Sequence, residues 1–299
     1  MYRFATLALA AGALVGLCNW SVPAAAQSAE EEVAKQTARQ ISDAISKRVG
    51  EDVGVVYAAP GTQGMTTASG EFLDSAWGTL TYNRVDFDRG TFGASDGVDI
   101  FLGTVGYDHR FDNFIPGISV TGAHATVDDV TGSSDGATVS PYIGYIVNDW
   151  FFVNALVGLS FSGSDIGGTN SDSTGVFTEE DANVVWHDGN WLATGKAGHR
   201  YRHSRDHEDG FGSTDSDANT LLVGGKVGYL IDNMVRPYLG TQYEYNFNVD
   251  EEDDDFLYLL IGFAMMANEH FSMDLSGQAE VIDPDTTSYS ITWQGVYRF

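Results

Sequence analysis

Residues 200–207 read Arg-Tyr-Arg-His-Ser-Arg-Asp-His, which sets a candidate base, His203, directly beside a candidate nucleophile, Ser204. Acyl transfer through a serine needs the two groups within hydrogen-bond reach. Neighbouring residues of a β-strand point to opposite faces, so a regular strand here holds them apart. Asp206, His207, Glu208 and Asp209 supply the residue types for acid–base hydrolysis, although an aspartate-rich loop is more simply a solvated one. No catalytic residue is therefore expected. Carboxylates also crowd at Asp128-Asp129 and from Asp250 to Asp255. Such clusters bind Ca²⁺ or Mg²⁺ weakly and can bridge to anionic lipid, but none has the Asp-x-Asp-x-Asp-Gly spacing closed by a Glu, and a hydrated, repulsive surface is the plainer reading. No metal site, no phosphate-binding glycine loop and no cofactor are expected.

The elements that carry these residues follow from composition and period. The chain has 299 residues, 42 acidic and 15 basic, for a formal charge of −27. That balance offers no basic face to a phosphate backbone, so nucleic acid is excluded as a partner. Thirty-five Gly, 14 Tyr, 17 Phe and only 6 Pro favour many strands joined by turns. Residues 1–26 read as a secretory signal: Arg3, an apolar run from Leu7 to Leu17, and Ala24-Ala25-Ala26 ahead of Gln27. The single cysteine, Cys18, falls inside it, so the exported chain is expected to have no thiol chemistry.

Residues 28–50 carry a helical pattern, with Ala34, Ala38, Ile41, Ile45 and Val49 on one stripe that Val33 and Ala44 widen. Glu30, Glu31 and Glu32 near its start and Lys47 and Arg48 near its end suit the helix dipole. Such a helix must lie against something, either inside a pore or beside another protein. Residues 51–72 read as a linker.

From residue 74 onward the chain alternates. Tyr289, Ile291, Trp293, Gly295, Tyr297 and Phe299 share one face and Ser288, Ser290, Thr292, Gln294 and Arg298 the other, with Val296 the lone apolar exception. Short junctions fall at Asp112-Asn113, Asn148-Asp149, Asp188-Gly189-Asn190, Asp232-Asn233 and Asn268-Glu269. Longer polar stretches lie between them at 87–96, 129–134, 164–174, 205–216, 248–254 and 282–286. Tight turns at one end and long loops at the other are the pattern of an outer-membrane barrel. Eleven strands are plain, and parity demands another, which we place at about 175–187, where Val176, Ala182, Val184 and Trp186 share a face. The expected fold is an all-β membrane protein: a twelve-stranded antiparallel transmembrane β-barrel over 74–299, with one N-terminal amphipathic helix. Trp191, Tyr229, Phe271 and Tyr297 are girdle candidates. The polar face, with Asp108, Arg110, Asn154, Lys196, Arg200, Arg202, Lys226, Arg236, Glu244, Asp274 and Arg298, is expected to line the lumen, because unpaired charge is too costly against lipid.

Residues 103–113, Gly-Thr-Val-Gly-Tyr-Asp-His-Arg-Phe-Asp-Asn, followed by Pro116-Gly117-Ile118-Ser119-Val120, resemble the second and third strands of autotransporter-type β-domains. The terminal Tyr297-Arg298-Phe299 is similar to the aromatic signal by which barrel precursors are recognised for insertion. The resemblance covers about residues 74–299. It implies a twelve-stranded barrel in the outer membrane of a Gram-negative-type cell, reached by signal-dependent export, with a helix running into the pore. It also implies outer-membrane lipid and lipopolysaccharide as surroundings, the barrel-assembly machinery as a partner in biogenesis, and a monomer. Nothing of passenger size stands ahead of the helix, so the expected function is a non-enzymatic surface or envelope component, or a translocator-like pore plugged by the helix. A small-solute porin and an outer-membrane hydrolase are the alternatives.

Overall fold

The computed structural model describes residues 24–52, 73–87, 97–128, 132–166, 169–208, 212–232, 234–247, 254–268, 270–282 and 286–299. The expected signal up to residue 23 and linker residues 53–72 lie outside these. One helix, α1 (Ala24–Asp52), precedes twelve strands: β1 (Asp74–Phe87), β2 (Gly97–His109), β3 (Phe114–Val127), β4 (Gly132–Asn148), β5 (Phe151–Ile166), β6 (Thr169–Asp188), β7 (Trp191–Glu208), β8 (Gly212–Tyr229), β9 (Val235–Asn246), β10 (Asp254–Met266), β11 (Phe271–Ile282) and β12 (Thr286–Arg298). Each pairs antiparallel with its neighbours in sequence, and β12 pairs with β1 to close the barrel. The strand demanded by parity is the second half of β6. Both barrel termini sit at one end, here called proximal, where the Asp74 and Phe299 backbones bond to each other.

The proximal turns are the asparagine junctions. Asp112, Gly189 and Asp232 take φ of 53°, 59° and 50°, a left-handed region that glycine and aspartate tolerate best. Asn268 Oδ1 accepts from the His270 and Phe271 amides, both at 2.9 Å, and Asn148 Oδ1 from Trp150 N at 3.0 Å, so the side chain stands in for a missing backbone partner.

The distal end differs from expectation. Residues 164–174 and 205–216 are strand for most of their length, because β5 and β6 pair from Ile166↔Thr169 onward and β7 and β8 from Glu208↔Gly212. A ladder satisfies backbone groups whatever the side chains are, and here they add links of their own, Ser164 to Ser171 at 2.9 Å and Arg205 to Asp215 at 3.0 Å. Polarity there marks where the strands leave the apolar belt, not where they end.

The belt is explicit on the exterior, where Leu80, Phe101, Val105, Leu239, Ile261 and Ile291 stand exposed. Trp191 and Tyr201 bracket it on β7, ten residues apart. That is about 33 Å along the strand, or roughly 25 Å of height at a tilt of ~40°, the height of a hydrocarbon belt.

Helix α1 extends beyond 28–50 at both ends and lies inside the barrel. Its 29 residues span about 43 Å. Ala38, Ile41, Ala44, Ile45 and Val49 are buried with Trp77, Ile115, Tyr142, Ile146, Phe152, Leu156, Phe177, Val185 and Val296 of the wall. The lumen thus carries an apolar stripe, mostly on β1–β6, that receives the helix, and Val296, the exception on the polar face of β12, is one of its contacts.

Candidate functional site: the helix-filled lumen

The helix meets the wall along three polar seams besides its apolar one. Lys35, Arg39, Asp43, Lys47 and Glu51 recur every four residues and form the longest. Lys35 Nζ lies 3.9 Å from the Phe256 ring centroid, and the Arg39 guanidinium 3.5 Å from that of Tyr258. Arg39 Nε also approaches Glu244 at 3.1 Å, and its other nitrogens face the Gln278 amide. Asp43 pairs with Lys196 at 3.2 Å, Lys47 with Asp274 at 2.9 Å, and Glu51 with Arg298 and Ser272.

On a second seam Ser42 donates to Glu179 and to Asp181, the latter at 3.2 Å, and Ser46 donates to Asp181 at 3.0 Å. Asn154 and Asn183 complete that cluster, each donating at 3.0 Å, Asn154 to Asp181 and Asn183 to Asn154. On the third, Arg48 donates to Asp52 at 2.8 Å, Ser75 at 2.7 Å and Asp108 at 2.7 Å. Asp108 is held in turn by Tyr142, which accepts from Trp77 Nε1; both bonds are 2.8 Å. A Cβ on Gly144 would stand 2.7 Å from Val49, so the close approach of helix and β4 depends on that glycine.

Of the residues expected to face the lumen, Asp108, Lys196, Arg200, Glu244, Asp274 and Arg298 are gathered around the helix in these seams; Arg200 bonds Glu179 at 2.6 Å and lies 3.7 Å from Glu244. Arg202 and Arg236 are buried on the same inward register. Lys226 points inward beside Tyr238, 4.9 Å from its ring centroid, and Arg110 lies at the proximal mouth, 4.0 Å from Asp52. Tyr297 and Phe299 are on the exterior and stack, with centroids 6.0 Å apart. Trp191 and Tyr229 meet edge to face on the same proximal girdle.

One expectation is corrected: the charges expected to suit the helix dipole do not fall in its first and last turns, although Lys47 and Arg48 do pair with Asp274 and Asp108 of the wall. The helix begins at Ala24, ahead of the three glutamates, and ends on Glu51 and Asp52, acids at the unfavourable pole of the dipole. Arg48, Arg110 and Arg298 offset them there. Sequence reasoning also missed Arg39, Asp43 and Glu51, whose i, i+4 recurrence was the available signal. It missed the apolar stripe of the lumen as well, which Ile100-Phe101-Leu102, apolar on both faces, betrays.

His203 and Ser204 do not assemble, and the side chains of Glu208 and Asp209 lie outside the described residues. His203 faces outward and pairs with Asp217 at 3.0 Å, while Ser204, one residue on in a regular ladder, has the opposite register. His207 does bond Ser213 across strands at 3.0 Å, but through Nδ1 and on the exposed exterior. Among the described residues no group of three His, Cys, Asp or Glu side chains is placed to hold a metal ion.

A closed twelve-stranded barrel with an apolar belt, threaded by its own N-terminal helix, is the fold of an autotransporter β-domain. The solved structures that share it include the translocator domain of the autotransporter NalP from Neisseria meningitidis, with a TM-score of 0.63 at 11% identity over 88% of this chain and 98% of that one. The β-domain of the Bordetella autotransporter BrkA matches with a TM-score of 0.64 at 14% identity, covering 76% of this chain and 100% of that one. The transport unit of AIDA-I from Escherichia coli matches at 0.56 and 10% identity, over 86% and 98% of the two chains. No protein-family model and no curated protein matches the sequence.

Proposed function

We propose that this chain is a non-enzymatic outer-membrane barrel of the translocator kind, whose helix is carried outward through the lumen and stays there, plugging the pore with its N-terminal end toward the cell surface. The observation that carries this is the direction of α1. Its C-terminal turn is bonded to Arg298, Ser75 and Asp108 at the proximal end, beside the barrel termini. Val33 packs at the distal end with Val98, Ile100 and Val127. The N-terminal end of α1 therefore lies toward the side opposite the barrel termini.

The exterior is compatible only with hydrocarbon, since an exposed belt of this size would aggregate in water. Outer-membrane lipid and lipopolysaccharide are its surroundings, and the exterior Tyr297 and Phe299 serve as the recognition signal for the barrel-assembly machinery. The barrel closes within one chain, which suits a monomer. An epitope placed after Gln27 tests the reading. It should be labelled on intact cells, and purified protein lacking residues 24–52 should conduct far more current than the intact chain in planar bilayers. Labelling only after the outer membrane is breached, or equal conductance of the two forms, would refute it. A porin reading requires that second result.

A further inference from the structure

We propose that a chamber beside α1 is a latent path for small inorganic anions, closed at its distal end by the side chain of Arg39. The proposal rests on α1 being a lumen plug. The helix packs its apolar stripe on the β1–β6 half of the wall, and on the other side a cavity of about 140 Å³ separates it from β7–β12. Thr79, Thr241, Ser290 and Thr292 line it together with apolar groups such as Ala44, Phe152, Val184 and Leu260, and it is roomy enough for several waters. A second cavity, about 30 Å³, continues toward the proximal end.

Lys47, Lys226 and Gln294 line both cavities and so form the neck between them. Lys47 is neutralised by Asp274 at 2.9 Å. Lys226 instead lies against the Tyr238 ring at 4.9 Å, and Asp274, to which the Tyr238 hydroxyl donates at 3.0 Å, lines the second cavity beside it. Among the described residues, Lys47, Lys196, Lys226 and Arg236 line the two cavities against Asp43, Glu51 and Asp274, four cations to three anions, and an excess of positive charge in a narrow, low-dielectric passage attracts anions and repels cations.

At the distal side the chamber ends at Gln40, Gln242 and Gln278. Arg39 lies over this ceiling. It reaches from the helix to the opposite wall, against Tyr258, Glu244 and the Gln278 amide, and Glu244 is fixed in turn by Gln242 at 2.7 Å. A long side chain with rotatable bonds can leave this seat while the helix stays bound through its other seams, so closure and anchoring are separable.

The test is single-channel recording of the full exported chain in planar bilayers under a KCl gradient. Arg39→Ala should raise conductance at least several-fold over wild type yet leave it well below that of protein lacking residues 24–52, with a reversal potential on the chloride side. Adding Lys226→Glu should move that potential toward potassium. If Arg39→Ala does not show the heat-modifiable migration of a folded barrel, Arg39→Gln takes its place under the same expectations. An Arg39 variant as closed as wild type overturns the proposal, as does one as open as the helix deletion, or a selectivity indifferent to Lys226. Wild type conducting as much as the helix deletion would instead sink the plug reading on which the proposal stands.

Discussion

Asp108 offers the sharpest measure of how firmly the helix is held. Its side chain is fully buried, and it accepts from Arg48 at 2.7 Å and from Tyr142 at 2.8 Å. Asp108→Asn keeps the shape and removes the charge, leaving a buried guanidinium short of one of its two carboxylates. Breaking a buried pair from one side costs about 3–5 kcal/mol, and the surviving Arg48 bonds to Asp52 and Ser75 place this case near the lower figure. A loss of about 3 kcal/mol multiplies the ratio of undocked to docked helix by about 160 at 25 °C. The assay is the fraction of time a single barrel spends at the full conductance of the helix-deleted form. Because the pair is shielded from solvent, wild type should show little change in that fraction between 0.1 and 1 M KCl, where exposed pairs are screened to about 10 and 3 Å. A variant within about threefold of wild type, or a wild-type helix released by salt alone, would refute the claim that this buried pair anchors α1.

Three further outcomes follow from the same contacts. Gly144→Leu should drive the helix off β4, since even a Cβ would stand 2.7 Å from Val49, and should open the pore while heat-modifiable gel migration shows the barrel still folded. Ile41→Ala, at a fully buried position in the apolar seam, should weaken docking by about 2–5 kcal/mol, read as protease cleavage within residues 33–52 at a rate well above wild type. Replacing Tyr297 and Phe299 together by Ala should lower the yield of assembled barrel in the membrane fraction without changing the conductance of the molecules that do assemble, because both side chains lie on the exterior and touch neither helix nor lumen.

The barrel was legible because its determinants are local. Period-two alternation on β9, β11 and β12 and the polar turn residues at Asp112, Gly189 and Asp232 each act within a few positions, and parity supplied the strand inside β6. The distal overhangs of β5 to β8 were not legible, because strand pairing there depends on registry with a neighbour and not on side-chain polarity. The helix's partners were hidden for a stronger reason: Glu51 and Arg298 are separated by 247 residues, and Ser42 and Glu179 by 137, so no window of sequence holds both members of a pair. The residue types expected in the lumen could be named; which helix residue each would meet could not.

Charge distribution explains why that matching is specific. Of the 15 Lys and Arg, four lie on α1 (Lys35, Arg39, Lys47 and Arg48) and seven in the lumen wall or at its proximal mouth (Arg110, Lys196, Arg200, Arg202, Lys226, Arg236 and Arg298). A chain of net charge −27 thus places most of its cations on the helix, in the lumen wall or at its mouth, leaving its acid surplus to the rest of the molecule. From Lys35 to Asp52 each helix cation or anion meets a group of opposite sign or an aromatic face, so a helix slid by one turn would set Lys47 near Lys196 and strand Asp43. Like charges brought together in a poorly hydrated space cost more than the apolar stripe alone gains by sliding. The apolar seam supplies most of the affinity, and the charged seam fixes the register in which the helix comes to rest.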